Sequence, residues 1–220
     1  MTSLAGCRVL LVGSTGGLGQ ALTERLLARG ARVIGVGRRP WTNSRLDQYV
    51  QADITRPDDR VLIVDAVKTE GVDVVILASG VVGFTQHDLL SSDAIDAMIT
   101  TNLTAPLQLM ALLSPLIRTG GNVTVLSGAV VDMPTLGMST YTATKAGLSG
   151  FASVLRRELR SRKISVLDVR PPHTETGLAT HPMFGSAPSL PVGLEPLVVA
   201  EQILVAIESD TPALNQFSPQ

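Results

Sequence analysis

The sequence predicts an α/β fold, a single doubly wound parallel sheet with helices on both faces, on three observations. Short apolar runs alternate with longer segments of helical period, which is the pattern of parallel strands joined by right-handed crossovers. The first apolar run passes directly into a glycine turn, Gly13-Ser14-Thr15-Gly16-Gly17-Leu18-Gly19, that opens the first helix. A composition of 45% hydrophobic and 17% charged residues over 220 positions is enough to bury one sizeable core, and nothing in it marks a second.

Each element follows in order. Arg8 to Val12 reads as the first strand and Leu18 to Arg29 as a helix, with Leu18, Leu22 and Leu26 on one stripe and Gly30 at its end. Arg32 to Val36 is the second strand, and Tyr49 to Ala52 a short third. Pro57 suits a helix start and Gly71 a helix stop, so Pro57 to Glu70 is a helix, followed by Val72 to Ala78 as a fully buried strand. Ser91 or Ser92 caps a long helix running towards Arg118, which Pro106 and Pro115 should kink or divide. Asn122 to Leu126 is the fifth strand, Tyr141 to Arg162 a helix, Ile164 to Asp168 the sixth strand, and Glu195 to Glu208 the last helix, with room after it for only a short edge strand. Between Pro171 and Leu194 there are five prolines and three glycines with no period. That is long for a connector, so the segment at about 171–194 reads as a lid over a site within one domain spanning 1–220.

Composition also excludes. A net charge of -1 and 3% aromatic residues do not make a nucleic-acid surface. Cys7 is the only cysteine, which rules out an intrachain disulfide and a thiolate metal cage, and the three histidines lack ligand spacing, so no metal is expected. The first residues are too poor in apolar positions for a signal peptide, and no run of about 18 apolar residues could span a bilayer. The expectation is a cytoplasmic protein with a small-molecule partner, without nucleic acid or membrane.

The glycine turn carries the first chemistry. Gly13 permits the tight reversal, Gly17 permits close approach to a pyrophosphate, and Gly19 permits the helix to lie close on the sheet, while free amides and the helix dipole face the phosphates. At the end of the second strand there is no Asp or Glu to accept from an adenosine ribose. Arg38 and Arg39 stand there instead, and a guanidinium suits a 2'-phosphate, so NADP(H) is preferred with NAD(H) as the alternative. Arg38 is the stronger candidate, because Arg39 precedes Pro40 and should point away. Downstream, Tyr141 and Lys145 lie four apart in Tyr-Thr-Ala-Thr-Lys, which puts a phenol and an ammonium on one helix face. A phenol that exchanges a proton with a carbonyl oxygen beside a dinucleotide is the equipment of hydride transfer, and the neighbouring ammonium should lower its pKa.

With these motifs in this order, the chain resembles the short-chain dehydrogenase/reductase family from about Leu4 to Ile207. Ala52-Asp53-Ile54 looks like that family's adenine-holding turn, Leu77-Ala78-Ser79-Gly80 its segment after the fourth strand, and Thr101-Asn102-Leu103 its helix asparagine. Arg170-Pro171-Pro172-His173-Thr174-Glu175-Thr176 resembles the loop that meets the nicotinamide, with Pro172 where glycine is usual. The resemblance implies a Rossmann-type fold and an oxidoreductase interconverting carbonyl and alcohol. It also implies Tyr141 as proton donor and acceptor, Lys145 on the nicotinamide ribose, Asn102 holding a relay water, and Thr174 or Thr176 on the carboxamide. A homodimer, or a homotetramer built from it, is implied as well.

One departure bears on catalysis. The family's serine normally lies 13 residues before the tyrosine, and that count lands on Gly128, with Ser127 one residue early. Either a local bulge brings Ser127 into the site, or another group holds the substrate oxygen, or catalysis is impaired. The last case describes a dinucleotide-binding sensor or scaffold of the same fold. Apolar residues in the loops beyond the strand ends, among them Val82, Phe84, Met133, Leu136 and Met183, favour an apolar carbonyl or alcohol as substrate.

Overall fold

The computed structural model describes residues 3–219. Its strands are β1 (Arg8–Val12), β2 (Arg32–Gly37), β3 (Gln48–Gln51), β4 (Val72–Leu77), β5 (Ile117–Leu126), β6 (Ser165–Val169) and β7 (Ala213–Leu214). They form one sheet in the order β3-β2-β1-β4-β5-β6-β7, and every pairing is parallel. The helices are α1 (Gly17–Ala28), α2 (Pro57–Val67), α3 (Ser92–Ile99), α4 (Ala105–Leu113), α5 (Ser139–Glu158) and α6 (Pro196–Glu208).

Alternation along the strands divides the core into two layers. Leu10, Val12, Val75, Val123 and Val125 face α2, α4 and α5, while Val9, Leu11, Val74 and Ile76 face α1 and α6. Because both faces are covered, β1 from Val9 and β4 from Val74 read as unbroken apolar runs, which is the mark of a buried parallel strand. The strand order reverses direction between β1 and β4, and the crevice beyond their carboxyl ends is where an open α/β sheet receives a ligand.

Most boundaries lie within a few residues of the sequence reading, and the larger features of the second half have local reasons. The long helix from Ser91 towards Arg118 is divided, as Pro106 and Pro115 led us to expect: α3 begins on a Ser91 cap, passes through one π-turn at Thr100–Thr104, and resumes as α4. Pro106 has no N–H to give four residues back, so the ladder cannot run through unbroken. At Pro115 a single 3-10 turn, Ser114–Leu116, ends the helix, and β5 then starts at Ile117 rather than Asn122. It does so through a register shift, Val72 pairing with Ile117 and Val74 with Asn122, which leaves Gly120 with φ +82° in the extra loop. Finally, α5 stops at Glu158 and closes through a 3-10 turn at Arg160–Arg162.

Residues 171–194 form no long element. The segment is nonetheless anchored: Gly185 bridges Phe84, Thr174 bridges Leu194, and the Met183 amide donates to the Val82 carbonyl at 2.8 Å. Val82 and Phe84 are buried beneath it, so of the apolar loop residues named above these two are covered, whereas Met133 and Leu136 stand open. Among the described residues no helix is long and apolar enough to cross a membrane.

Candidate active site

At the end of β1 the chain reverses on Gly13, with φ +92°, directly against the end of β4. A Cβ on Gly13 would lie 2.7 Å from the Ser79 nitrogen, and one on Gly19 would strike the Gly13 carbonyl and come within 2.9 Å of the Ser14 Cα. Both glycines are therefore demanded by backbone-to-backbone contact. At Gly17 the close neighbour is the lid, because a Cβ there would sit 2.7 Å from the Thr176 Cα. Gly16 caps α1, Leu18 packs into the α1 layer, and no side chain caps the helix or adds negative charge to its first turn. The first amides of α1 are thus left for an anion. Ser79 Oγ is buried at the same junction with no protein partner. A bare helix start, a glycine cradle and an orphaned hydroxyl fit the phosphates of a dinucleotide.

The side chains of the turn divide the work. Ser14 is buried and donates to the Val36 carbonyl at 3.1 Å, so it ties the turn to β2. Thr15 presents its backbone carbonyl, which accepts from Gln20 at 3.0 Å and from Arg39 at 2.7 Å. The two arginines, both exposed, differ in their contacts: Arg39, expected to point away because of Pro40, donates back to the turn, while the Arg38 carbonyl accepts from Gln51. Tyr49 braces this corner from β3, its hydroxyl shared between the Gly37 and Arg39 carbonyls. Beyond β3, Asp53 accepts from the amide and hydroxyl of Thr55, and the Ile54 carbonyl accepts from Arg60 at 2.6 Å. These bonds fix the Asp53–Ile54 turn just beyond the end of β3.

Tyr141 and Lys145 come from the first turns of α5, across the crevice. Lys145 is 5% exposed and donates to the Leu126 carbonyl at 2.9 Å. Its Nζ stands 5.6 Å from the centroid of the Tyr141 ring, over the π-face rather than at the oxygen. Gly80 closes the other side, where a Cβ would lie 3.4 Å from both Lys145 Nζ and Asn102 Oδ1. The glycine after β4 therefore leaves room for the ammonium.

Burial moves the two groups in opposite directions. The phenol of Tyr141 is pushed up to about 12, and Lys145 is brought down to about 8 by desolvation, with Asp168 opposing that fall. A phenol lowered by its neighbouring lysine, as the sequence led us to expect, is not what the ligand-free site holds. The ammonium lies over the ring, and desolvation alone raises the phenol.

Asn102 is fully buried in the π-turn and clamps the backbone of Val81: its Oδ1 accepts from the amide at 2.8 Å and its Nδ2 donates to the carbonyl at 2.8 Å. Its own backbone carbonyl receives nothing from position 106, which is proline. Ser127 is also fully buried, but its hydroxyl donates to Asp168 at 2.5 Å, with the Val169 carbonyl a longer neighbour at 3.2 Å. Gly128 follows with φ +104°, and a Cβ on it would meet nothing within 4 Å. On the lid, the Pro171 carbonyl accepts from Ala129 at 3.0 Å, Thr174 turns its hydroxyl onto the Pro172 carbonyl, and Thr176 alone of the two threonines lies on the glycine turn. Ala78 continues the sheet, its amide donating to Val12 at 2.8 Å.

One cluster was not legible beforehand. Asp168, 3% exposed, gathers Ser127, Ser149 and Arg170, and Arg170 reaches on to Asp132. An aspartate within an apolar strand pattern was its only signal.

Comparison with known proteins agrees with this geometry. The family model described as short chain dehydrogenase matches residues 8–182. The chain is 31% identical over 188 residues to the 3-oxoacyl-acyl-carrier-protein reductase of Salmonella typhimurium, covering 80% of this chain and 77% of that one. It is 29% identical to the cyclic-di-GMP-binding biofilm dispersal mediator protein of Escherichia coli, over 80% of this chain and 76% of the relative. A solved short-chain dehydrogenase from Sphingobium yanoikuyae in complex with NADPH superposes with TM-score 0.82 at 25% identity, over 94% of this chain and 87% of that one. With a matched stretch that runs from β1 into the lid and takes in the glycine turn, Asn102, Tyr141 and Lys145, the chain belongs to the short-chain dehydrogenase/reductase family of oxidoreductases.

Proposed function

We propose that the protein is an NADP(H)-dependent oxidoreductase that interconverts a carbonyl and an alcohol by hydride transfer, with Tyr141 as proton donor and acceptor. The observation that carries this reading is the pairing of a half-buried Tyr141 with the buried Lys145, beside Gly80 and Asn102, on the opposite wall of the crevice from an uncapped α1. A bound cofactor supplies the hydride. The first amides of α1 and Ser79 hold its pyrophosphate, Asp53 and Ile54 border its adenine, and Thr176 closes on it from the lid. Arg39, already fixed on the Thr15 carbonyl, and the free Arg38 take a 2'-phosphate, which favours NADP(H) over NAD(H). The NADPH complex of the Sphingobium relative supports that preference.

Tyr141 gives its proton to the substrate oxygen as the hydride arrives and takes it back in the reverse direction. Lys145, anchored on the Leu126 carbonyl, stands beside the phenol as the cation that would stabilise its phenolate. The Asn102 side chain is occupied by Val81, so the relay water falls to its backbone carbonyl, to which Pro106 has no N–H to give. Ser127 as it stands supports Asp168, and the substrate oxygen loses one donor at Gly128. The substrate is an apolar carbonyl or alcohol, for which Met133, Leu136 and Met183 leave apolar side chains exposed on the loops. Leu112 on α4 and Val154 on α5 are exposed and form the contact of a homodimer, which light scattering at micromolar concentration checks. The single half-buried cysteine suits a reducing cytoplasm.

The test is NADPH consumption over a panel of carbonyl compounds. Tyr141→Phe should lose at least about 100-fold in kcat while binding NADPH as before; an unchanged rate removes Tyr141 from the chemistry. A second reading is favoured by Gly128 and by the ligand-binding relative from Escherichia coli: a cofactor-binding sensor with little turnover. Tight NADPH binding with no turnover across the panel selects it.

A further inference from the structure

The reaction just proposed leaves one buried anion without a task. Asp168 sits on β6 where strand alternation calls for an apolar residue, facing the layer that holds Val166 and α5. An unpaired carboxylate there would cost several kcal/mol. Instead it accepts from Ser127 Oγ at 2.5 Å, Ser149 Oγ at 2.7 Å and Arg170 Nε at 3.1 Å, with Arg170 Nη2 at 3.0 Å. Arg170 also donates to Ser149 at 2.8 Å and to Asp132 at 2.5 Å.

The origin of these groups is informative. Ser127 adjoins Leu126, whose carbonyl holds Lys145, and Ser149 lies one turn beyond Lys145 on the same face of α5. Asp132 belongs to the loop that follows Gly128. One carboxylate therefore ties together the strand end, the helix and the loop that surround the reacting pair.

We propose that Asp168 is a positioning residue for the Tyr141–Lys145 pair: its buried charge holds the lysine as an ammonium and fixes α5 on the ends of β5 and β6. The proposal rests on the hydride-transfer reading. Charges near Lys145 are few among the described residues. Tyr141 faces it from α5 and Asp168 from β6, with Arg170 and the partly exposed Asp132 behind the carboxylate. The π-turn, β4 and β5 contribute only the Asn102 amide, Gly80 and the Leu126 carbonyl. Asp168 is also the one charge that counters the desolvation of Lys145.

Removing a nearby anion lowers the proton affinity of every member of a coupled pair, and removing a nearby cation raises it. The test is the pH profile of kcat/KM for alcohol oxidation in the wild type, Asp168→Asn, Arg170→Gln and Ser149→Ala, each checked for folding by thermal melting. The midpoint should fall by about one pH unit in Asp168→Asn, rise in Arg170→Gln, and stay in place in Ser149→Ala, which keeps the charge. Should Asp168→Asn fail to fold, Arg170→Gln carries the test by its opposite sign. The same midpoints are readable without turnover, because Tyr49→Phe leaves Tyr141 as the only tyrosine and its phenolate absorbance can be titrated with NADP bound. Midpoints that do not move, or that move together in the two charge variants, overturn the role of Asp168. A fully active Tyr141→Phe overturns instead the reaction on which it rests.

Discussion

Two corners of this molecule turn on glycine at the carboxyl end of a central strand, and they do so for different reasons. At the end of β1, Gly13 and Gly19 are surrounded by backbone, and a methyl group at either collides with main-chain atoms that cannot yield. At the end of β5, Gly128 has open space where its side chain would be, and only a φ of +104° separates it from an ordinary residue. The first corner is glycine by packing. The second is glycine by conformation, at the position where the family resemblance calls for a hydroxyl. The contrast teaches that the cofactor corner tolerates no change, while the chemical corner has room for a group it lacks.

The most severe break should come at the first corner. Gly19→Ala forces a Cβ into the Gly13 carbonyl, and we expect a loss of about 3 kcal/mol of stability together with NADPH binding, read by denaturant unfolding and fluorescence titration. A variant that folds and binds normally would show that the turn opens easily.

The next effect lies in the chemical corner and depends on pH. Lys145 has a folded-state pKa of about 8 against an ordinary 10.5, so between those values the unfolded chain holds a proton that the folded chain has released. Stability of the ligand-free protein should therefore rise with pH across that window, by up to about 1.4 kcal/mol per pH unit. Tyr141, raised to about 12 from 10, binds its proton more tightly when folded and turns the trend downward above about pH 10. Lys145→Met should flatten the rise in thermal melts between pH 8 and 10. A slope that survives the substitution assigns it to another group.

Gly128→Ser sharpens the contrast directly. The new side chain has space but is strained by about 1–3 kcal/mol at the present φ, and a correctly placed hydroxyl is worth about tenfold or more in kcat. We expect a slower-melting gain to be absent and a faster, less stable enzyme to appear; a folded variant with unchanged kcat means that another group holds the substrate oxygen. Smallest is Arg39→Ala, expected to weaken NADPH by about tenfold with little effect on NADH. Equal losses for both cofactors would remove the arginine from the 2'-phosphate.

Much of the first corner was legible in the residues. The glycine spacing, the apolar runs on either side and the missing acid at the end of β2 are local features, and local sterics and charge determine what they do. The strands, the helices and the identity of the Tyr141–Lys145 face follow from periodicities of two and 3.6 in the same way. Less legible were the reach of Arg39 back to the Thr15 carbonyl and the clamp of Asn102 on Val81, since each joins segments that only the fold brings together. The cover over Val82 and Phe84 was equally hidden, since it is made by a segment 100 residues further along the chain.

By itself, the order of residues determined a parallel sheet wound on both faces, a phosphate-ready turn after its first strand, and a phenol and an amine one helical turn apart. Only the tertiary structure decided that Ser127 serves Asp168, that the amine lies over the ring rather than at its oxygen, and that burial drives the two proton affinities apart. The reason is range. Backbone sterics and periodicity act between neighbours, whereas the energy of a buried charge is set by every group the fold brings around it.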